Sequence, residues 1–226
     1  MEFIISLNRI AGDLWVNIRR RIIFKDFNFS NKKILDLGCG SGYIGLHYLK
    51  NNEVYFLDST QKNLNNLKID DAKKILADVS RPIPYDNFFD VIFCADVLEH
   101  IKNDQAALKN IYRCLKFGGI LILTLPAYSK LYGHHDRLIG HFRRYDKKSI
   151  KLISQDIGFK LLSSRYTMSL MFPFFLSNQL LVRSSAIYKG KSKLEKKIKP
   201  FLNFICWIES KIKLPFGIGL IMVFRK

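Results

Sequence analysis

The stretch Ile34-Leu-Asp-Leu-Gly-Cys-Gly-Ser-Gly-Tyr-Ile-Gly45 limits what this chain can fold into more than any other. A short apolar run around one acid leads directly into a turn with glycine at 38, 40 and 42, and then into a helix-like segment. Glycine lacks the Cβ that would keep a ligand off the backbone. A strand feeding such a turn therefore brings main-chain N–H groups and a helix N-terminus up to a bound molecule. Nucleotide-like ligands are held this way.

The segments that follow keep the same alternation. Val54–Leu57, Ile75–Ala77, Phe89–Cys94 and Ile120–Leu125 read as strands. Helices are expected from Gly42 to Asn51, from Lys62 to Lys68, and from Asn103 to Leu115, the last ended by Gly118-Gly119. A β-α-β-α-β series implies a parallel sheet with right-handed crossovers and helices on both faces. Its ligand lies outside the carboxyl ends of the strands. From Ala127 to Asp146 the alternation stops for about twenty residues, and a loop of that length inside one domain is usually functional. A helix from Lys147 to Asp156, a strand from Lys160 to Tyr166 and a last strand within Pro215–Arg225 complete the series. Two aromatic and basic segments, Pro173–Tyr188 and Lys193–Ile212, read as helices inserted before the last strand.

Residues 3–24 place Ile4, Leu7, Ile10, Leu14, Ile18 and Ile22 at steps of three and four, the pattern of an amphipathic helix with a basic end. Such a helix either packs over the sheet or rests on a membrane surface. No run reaches the ~18 apolar residues of a spanning helix; the nearest, Tyr166–Val182, is broken by Ser169, Pro173, Ser177, Asn178 and Gln179. Arg9, Arg19, Arg20 and Arg21 interrupt the N-terminal stretch, which has no secretory pattern. A cytoplasmic protein is expected, with a peripheral position on the inner membrane face as a further option. The formal net charge is +18, and Leu181–Lys226 holds eleven basic residues against two acidic ones. Anionic lipid, nucleic acid and phosphorylated substrates all answer that charge. Cys39, Cys94, Cys114 and Cys206 show no paired spacing, so neither a disulfide framework nor a metal site is expected.

Two ligands compete for the glycine turn. Gly40-Ser-Gly42-Tyr-Ile-Gly45 satisfies the dinucleotide pattern, with Asp58 near the distance of a ribose-binding acid. Against it stands Asp36, two residues before the first glycine, where a carboxylate would repel a pyrophosphate and attract an ammonium. Taken together, Asp36-Leu-Gly38-Cys-Gly40-Ser-Gly42, Asp58, Asp78 and Asp96-Val-Leu-Glu99-His100 resemble the class I S-adenosylmethionine-dependent methyltransferases. The likeness is to the small-molecule branch whose glycine motif is followed by a Leu-Glu-His segment. Later landmarks, from Leu125-Pro-Ala-Tyr through His135-Asp136, Gly140-His141 and Arg144-Tyr145 to Leu214-Pro-Phe-Gly217, resemble a bacterial subgroup of these enzymes with unassigned substrates.

The resemblance implies a Rossmann-like, doubly wound, seven-stranded α/β sheet, mostly parallel, with an antiparallel last strand. Residues 1–30 then form an N-terminal helix and 31–226 the methyltransferase domain, with 126–146 as active-site loop and 168–213 as helical insertion. It implies that S-adenosylmethionine is held by Asp36, Gly38, Cys39, Gly40, Gly42, Asp58, Ser59, Asp78, Val79 and Ala95, and leaves as S-adenosylhomocysteine. Asp58 would bind ribose and Asp78 would face the adenine amine, although Asp78 also reads as a turn acid before Ser80-Arg-Pro82.

Methyl transfer from a sulfonium needs in-line approach, exclusion of water and, for a hydroxyl nucleophile, a base. The loop offers His134, His135, Asp136 and His141 as proton acceptors, and Tyr132, Arg143, Arg144 and Tyr145 as acceptor-binding residues. A histidine titrating near pH ~6.5 can serve as base at neutral pH. The alternative is that Asp136 and a histidine only pin the loop, or that Arg143 and Arg144 cap the next helix. Cys94 reads as core, since no proline adjoins it as beside a nucleophilic cysteine, and His100 as a packing or capping residue. Three functions stay open: a methyltransferase for a small or lipid- or glycan-linked acceptor, a tRNA or rRNA methyltransferase, and a donor-binding protein without turnover. No dedicated RNA-binding module is visible, which ranks nucleic acid behind a small or lipid-linked partner. The chain does not disclose its oligomeric state.

Overall fold

The computed structural model describes residues 16–170, 172–173, 200 and 204–226. Helix α1 covers 16–26; then follow β1 (Lys33–Leu37), α2 (Tyr43–Tyr48), β2 (Glu53–Asp58), α3 (Gln61–Asn65) and β3 (Lys74–Leu76). The second half holds β4 (Phe89–Ala95), α4 (Asp104–Cys114), β5 (Leu115–Pro126), α5 (His134–Leu138), α6 (Lys147–Ile157) and β6 (Lys160–Thr167). Helix α7 covers 204–211, and β7 is Gly219–Arg225. The expected helices over residues 3–15 and most of the 168–213 insertion lie outside the described residues.

One seven-stranded sheet runs in the order β3-β2-β1-β4-β5-β7-β6. The first five strands in that order are parallel, and β7 runs antiparallel to both its neighbours, with Leu123 opposite Met222 and Tyr166 opposite Leu220. Central strands of such a sheet are covered on both faces and so read as continuous apolar runs. Ile34, Leu35 and Leu37 of β1 are at most 1% exposed. One face packs against α4 and α6 through Ala107, Leu108, Ile111 and Ile150; the other packs against α1, α2 and α3 through Ile23, Ile44, Tyr48 and Leu64. Ile18 and Ile22 of α1 are fully buried with Cys206 of α7 and Ile221 of β7. At about 1.5–3 kcal/mol for each such side chain, this anchors α1 to the sheet.

Two local expectations are corrected. Gly118-Gly119 does not terminate α4: the helix gives way to β5 at Leu115, which pairs with Phe89, and the glycines lie inside the strand where the register shifts. The N–H of Gly118 and the carbonyl of Gly119 bond with Lys226, so the chain terminus closes over this irregularity. The loop after β5 also holds a short helix, α5, whose five residues carry too little apolar period to be read.

Candidate active site

Strands β1 and β4 adjoin where the winding of the sheet reverses, and the crevice beyond their carboxyl ends is where such a sheet holds its ligand. From β1 the chain enters the glycine turn. A Cβ at Gly38 would stand 2.3 Å from Val97 Cγ2, one at Gly42 2.5 Å from Leu67 Cδ2, and one at Gly45 2.4 Å from Phe56 Cε1. Those positions are small because the frame closes on them. Gly40 is different. Its φ is +53°, and a Cβ there would meet nothing within 4 Å. It is the bare stretch of backbone that a ligand can approach.

The acids around the turn hold it in shape. Asp58, at the end of β2, accepts the Gly40 N–H at 2.9 Å with Oδ2, and with Oδ1 accepts the Thr60 N–H at 2.8 Å and Asn63 Nδ2 at 3.1 Å. Ser59 is exposed beside it. Asp36 is 3% exposed and accepts the Gly45 N–H at 2.9 Å, so it pins the first turn of α2 from inside. Burial pushes its carboxyl up to about 7, against the pull of Gly45 and the Arg19 charge. Cys39 is buried, and desolvation raises its thiol to about 12, leaving it unreactive. Asp78 is exposed and accepts from the Ser80 N–H and Oγ at 2.9 and 2.8 Å, which lowers its pKa. Val79 is buried next to it, its carbonyl bonded to Asn110 Nδ2.

Beyond β4, Ala95 leads to Asp96, whose φ of 55° lies in the left-handed region. Asp96 accepts the Thr124 hydroxyl at 2.7 Å and pairs with Arg19 of α1, whose Nε reaches the Tyr43 hydroxyl at 2.9 Å. Sequence reasoning missed this cluster of Arg19, Tyr43, Asp96 and Thr124. Its only sequence signal is Arg19, a charge set beside Ile18 and Ile22 on the buried stripe of α1. Thr60 and Asn63 were missed as well, although a threonine at the entry to a helix is an ordinary landmark.

The loop after β5 rises over the same edge and returns to pair Tyr145 with Ala127. Asp136 is fully buried at its centre, accepting the Gly133 N–H at 2.9 Å, Arg144 Nε at 2.8 Å and His141 Nδ1 at 3.0 Å. Burial raises its pKa, but the bonds to His141 and Arg144 outweigh this and bring it to about 2. Tyr145 is buried, with its hydroxyl donating to Asp104 at 2.9 Å; desolvation raises its pKa. Arg143 pairs with Asp104 at 2.8 Å and donates to the Lys102 carbonyl, and Tyr132 donates to the His141 carbonyl at 3.0 Å. Of the two readings open for this loop, the geometry carries pinning for Asp136, His141, Arg144 and Tyr145. Neither Arg143 nor Arg144 caps α6. His134 and His135 stay on the exposed side of α5, and desolvation of its ring holds His135 below the ordinary imidazole pKa.

Glu99 and His100, from the turn after β4, meet the loop at Gly140 and His141. Of the two roles expected of His100, packing is the one observed, its ring edge-on to His141 with centroids 4.7 Å apart, while Asn103 caps α4 by accepting the Ala106 N–H at 3.1 Å. Glu99 is 1% exposed, and burial pushes its carboxyl up to about 8. Cys94 is fully buried and its thiol is raised by desolvation, as a core cysteine. A groove lined by Lys32, Lys33, Lys50, Asp90 and Lys116 lies at the opposite, amino-terminal end of the strands, away from all these groups. The carboxyl edge fits a sulfonium nucleoside: bare backbone at Gly40 with the Asp58 carboxylate bonded to it, and Asp36 buried under the first turn of α2.

The methyltransferase domain family matches residues 9–164. An uncharacterised protein of Methanocaldococcus jannaschii is 31% identical over 201 residues, covering 84% of this chain and 85% of that protein. The ubiquinone biosynthesis O-methyltransferase of Rickettsia bellii is 29% identical over 107 residues, 43% of each chain. The tRNA U34 carboxymethyltransferase of Nautilia profundicola is 36% identical over 115 residues, 47% of this chain and 38% of that enzyme. This chain thus spans less than half the length of either named enzyme. Among solved structures, an S-adenosylmethionine-dependent methyltransferase of Mesorhizobium loti superposes with a TM-score of 0.62 at 13% identity, over 96% of this chain and 100% of that one. That likeness is one of fold. The family match extends over more than half of the residues and takes in the whole glycine turn, and on that ground the chain belongs to the S-adenosylmethionine-dependent methyltransferases.

Proposed function

We propose that the protein transfers the methyl group of S-adenosylmethionine to a small-molecule or lipid- or glycan-linked acceptor with an apolar part, at the cytoplasmic face of the membrane. The observation that carries the acceptor class is the outer side of the 127–146 loop. Leu138, Ile139 and Phe142 are 45%, 46% and 52% exposed there, beside His134 and His135. Three large apolar side chains held in water near a crevice mark a surface for an apolar ligand.

When bound, the donor supplies an electrophilic methyl on a sulfonium and departs as S-adenosylhomocysteine. Gly40 offers bare backbone to its methionine part, Asp58 sets negative charge toward the ribose hydroxyls, and Asp36, whose proton burial retains up to about 7, would ionise against the arriving ammonium. Asp78 and Val79 lie toward the adenine. Arg19 bridges α1 to Asp96 and Tyr43 beside the end of β4 and would hold α1 over the bound donor. His135 takes the proton of an attacking hydroxyl, its lowered pKa keeping the ring neutral at physiological pH. His134, its neighbour on α5, is the second candidate proton acceptor, while Asp136, His141, Arg144 and Tyr145 hold the loop that carries both.

For the membrane, the support is the exposed Phe204 and Trp207, ring centroids 6.1 Å apart on α7, next to α1. Exposed stacked aromatics suit a headgroup layer. Among the described residues no helix is long and apolar enough to cross a membrane.

The test is transfer of labelled methyl groups into a cell extract split into lipid, glycan, small-metabolite and RNA fractions. Label is expected in the lipid, glycan or small-metabolite fraction. Label confined to RNA would overturn the acceptor class, and donor binding without label in any fraction would make this a binding protein.

A further inference from the structure

Outside the donor crevice, the loop and the turn after β4 set two histidines and a buried glutamate face to face. His141 donates from Nδ1 to Asp136 at 3.0 Å, which turns its Nε2 toward the turn after β4. His141 Nε2 stands 3.9 Å from Glu99 Oε1, too long for a hydrogen bond. Glu99 is 1% exposed, and its Oε2 has no hydrogen-bond partner. His100 stands edge-on to His141, ring centroids 4.7 Å apart, with Nδ1 3.2 Å from the Gly140 carbonyl. A carbonyl only accepts, so His100 also protonates Nδ1 and presents a bare Nε2. One ligand atom from each of Glu99, His100 and His141 lies within 4.8 Å of the others.

Three potential ligand atoms thus converge on one gap, and the buried Oε2 of Glu99 is left there without a hydrogen-bond partner. Each imidazole is already oriented as metal-binding histidines are, its far N–H given to a carboxylate or carbonyl. We propose that Glu99, His100 and His141 bind one divalent first-row transition metal ion, of the Zn2+, Mn2+ or Fe2+ class. Two neutral nitrogens and one carboxylate suit such ions and not Mg2+ or Ca2+, which prefer oxygen. Three protein ligands leave positions open for oxygens of the acceptor. This deepens the proposed function and rests on it only for the use made of the ion: a hydroxyl bound there would lose its proton more readily before attacking the methyl carbon, as the C–S bond breaks and its electron pair stays on sulfur.

Metal binding is tested apart from turnover. The protein is stripped with chelator and titrated with Co2+, read by its visible d–d absorption, then displaced with Zn2+. One equivalent is expected to give bands that fall at least tenfold in apparent affinity in Glu99→Gln and in His141→Ala, and that persist in His134→Ala. Affinity for S-adenosylhomocysteine, unchanged in every variant, reports that each is folded. His100→Ala, at an exposed position, supplies a variant that leaves the core intact, and it should weaken binding at least tenfold as well. No saturable Co2+ binding by the wild-type protein, or binding undiminished in Glu99→Gln and His141→Ala, overturns the site, and a proton shared by His141 and Glu99 would then account for the gap. Metal binding that is confirmed while no fraction of the extract is methylated would leave the site standing and remove the proposed reaction instead.

Discussion

Asp58 Oδ2 accepts the Gly40 N–H at 2.9 Å, tying the end of β2 to the one glycine of the turn whose missing Cβ faces open space. The acid proposed to bind ribose also shapes the backbone proposed to receive the methionine part. Asp58→Ala should therefore weaken S-adenosylhomocysteine binding by tenfold or more, about 1.4 kcal/mol, measured by calorimetry. Affinity equal to wild type would remove Asp58 from the donor site.

Gly38 and Gly40 differ in what surrounds them, and substitutions should separate stability from binding. Gly38→Ala drives a Cβ into Val97 Cγ2 and should cost roughly 2–4 kcal/mol of stability. Gly40→Ala meets only backbone strain, about 1–2 kcal/mol, yet should lower donor affinity more than Gly38→Ala lowers it in the folded fraction. Thermal melts and calorimetry on both variants check this. Equal loss of stability in the two would contradict the division of roles.

The raised pKa of Asp36 sets a pH dependence. The folded protein keeps the Asp36 proton up to about 7, whereas a free aspartate loses it near 3.8. Between those values the folded state binds more protons than the unfolded one, so this group's effect on stability grows worse as pH rises through the window. Asp36→Asn keeps an oxygen for the Gly45 N–H and cannot ionise. Without donor, its melting temperature should exceed that of wild type at about pH 8, with the gap closing toward about pH 5. A gap that does not change with pH would place the Asp36 pKa elsewhere.

Removing Arg19 leaves Asp96 and the Tyr43 hydroxyl without the group that joins them to α1. With Arg19 side chain 8% and Asp96 21% exposed, Arg19→Ala should destabilise by about 2–3 kcal/mol, below the full cost of breaking an enclosed pair. Hydrogen exchange should rise first in 16–26. Unchanged protection there would show that Ile18 and Ile22 hold α1 unaided.

The sheet was legible because its causes are local. Ile34–Leu37 and Phe89–Cys94 are apolar runs bounded by turn residues, and a glycine turn after the first strand has few structural uses. What escaped was set by distance along the chain. Glu99 meets His141, and Arg19 meets Asp96, only because the sheet brings separate crossovers to one edge; neither pair has a sequence period. The sequence picks out the loop as a group, but nothing in Asp136-to-Arg144 spacing reveals that Asp136 points inward while His135 stays outside. Gly118-Gly119 looked like a helix stop because glycine serves both there and in a strand irregularity.

The most direct test of the central claim is a calorimetric titration of the purified protein with S-adenosylhomocysteine and, separately, with NAD, since the turn's glycine spacing satisfies both patterns. Saturable one-to-one binding of S-adenosylhomocysteine, displaced by S-adenosylmethionine, is expected, with no binding of NAD at the same concentrations. Saturable NAD binding, or no binding of S-adenosylhomocysteine by the folded protein, would contradict it.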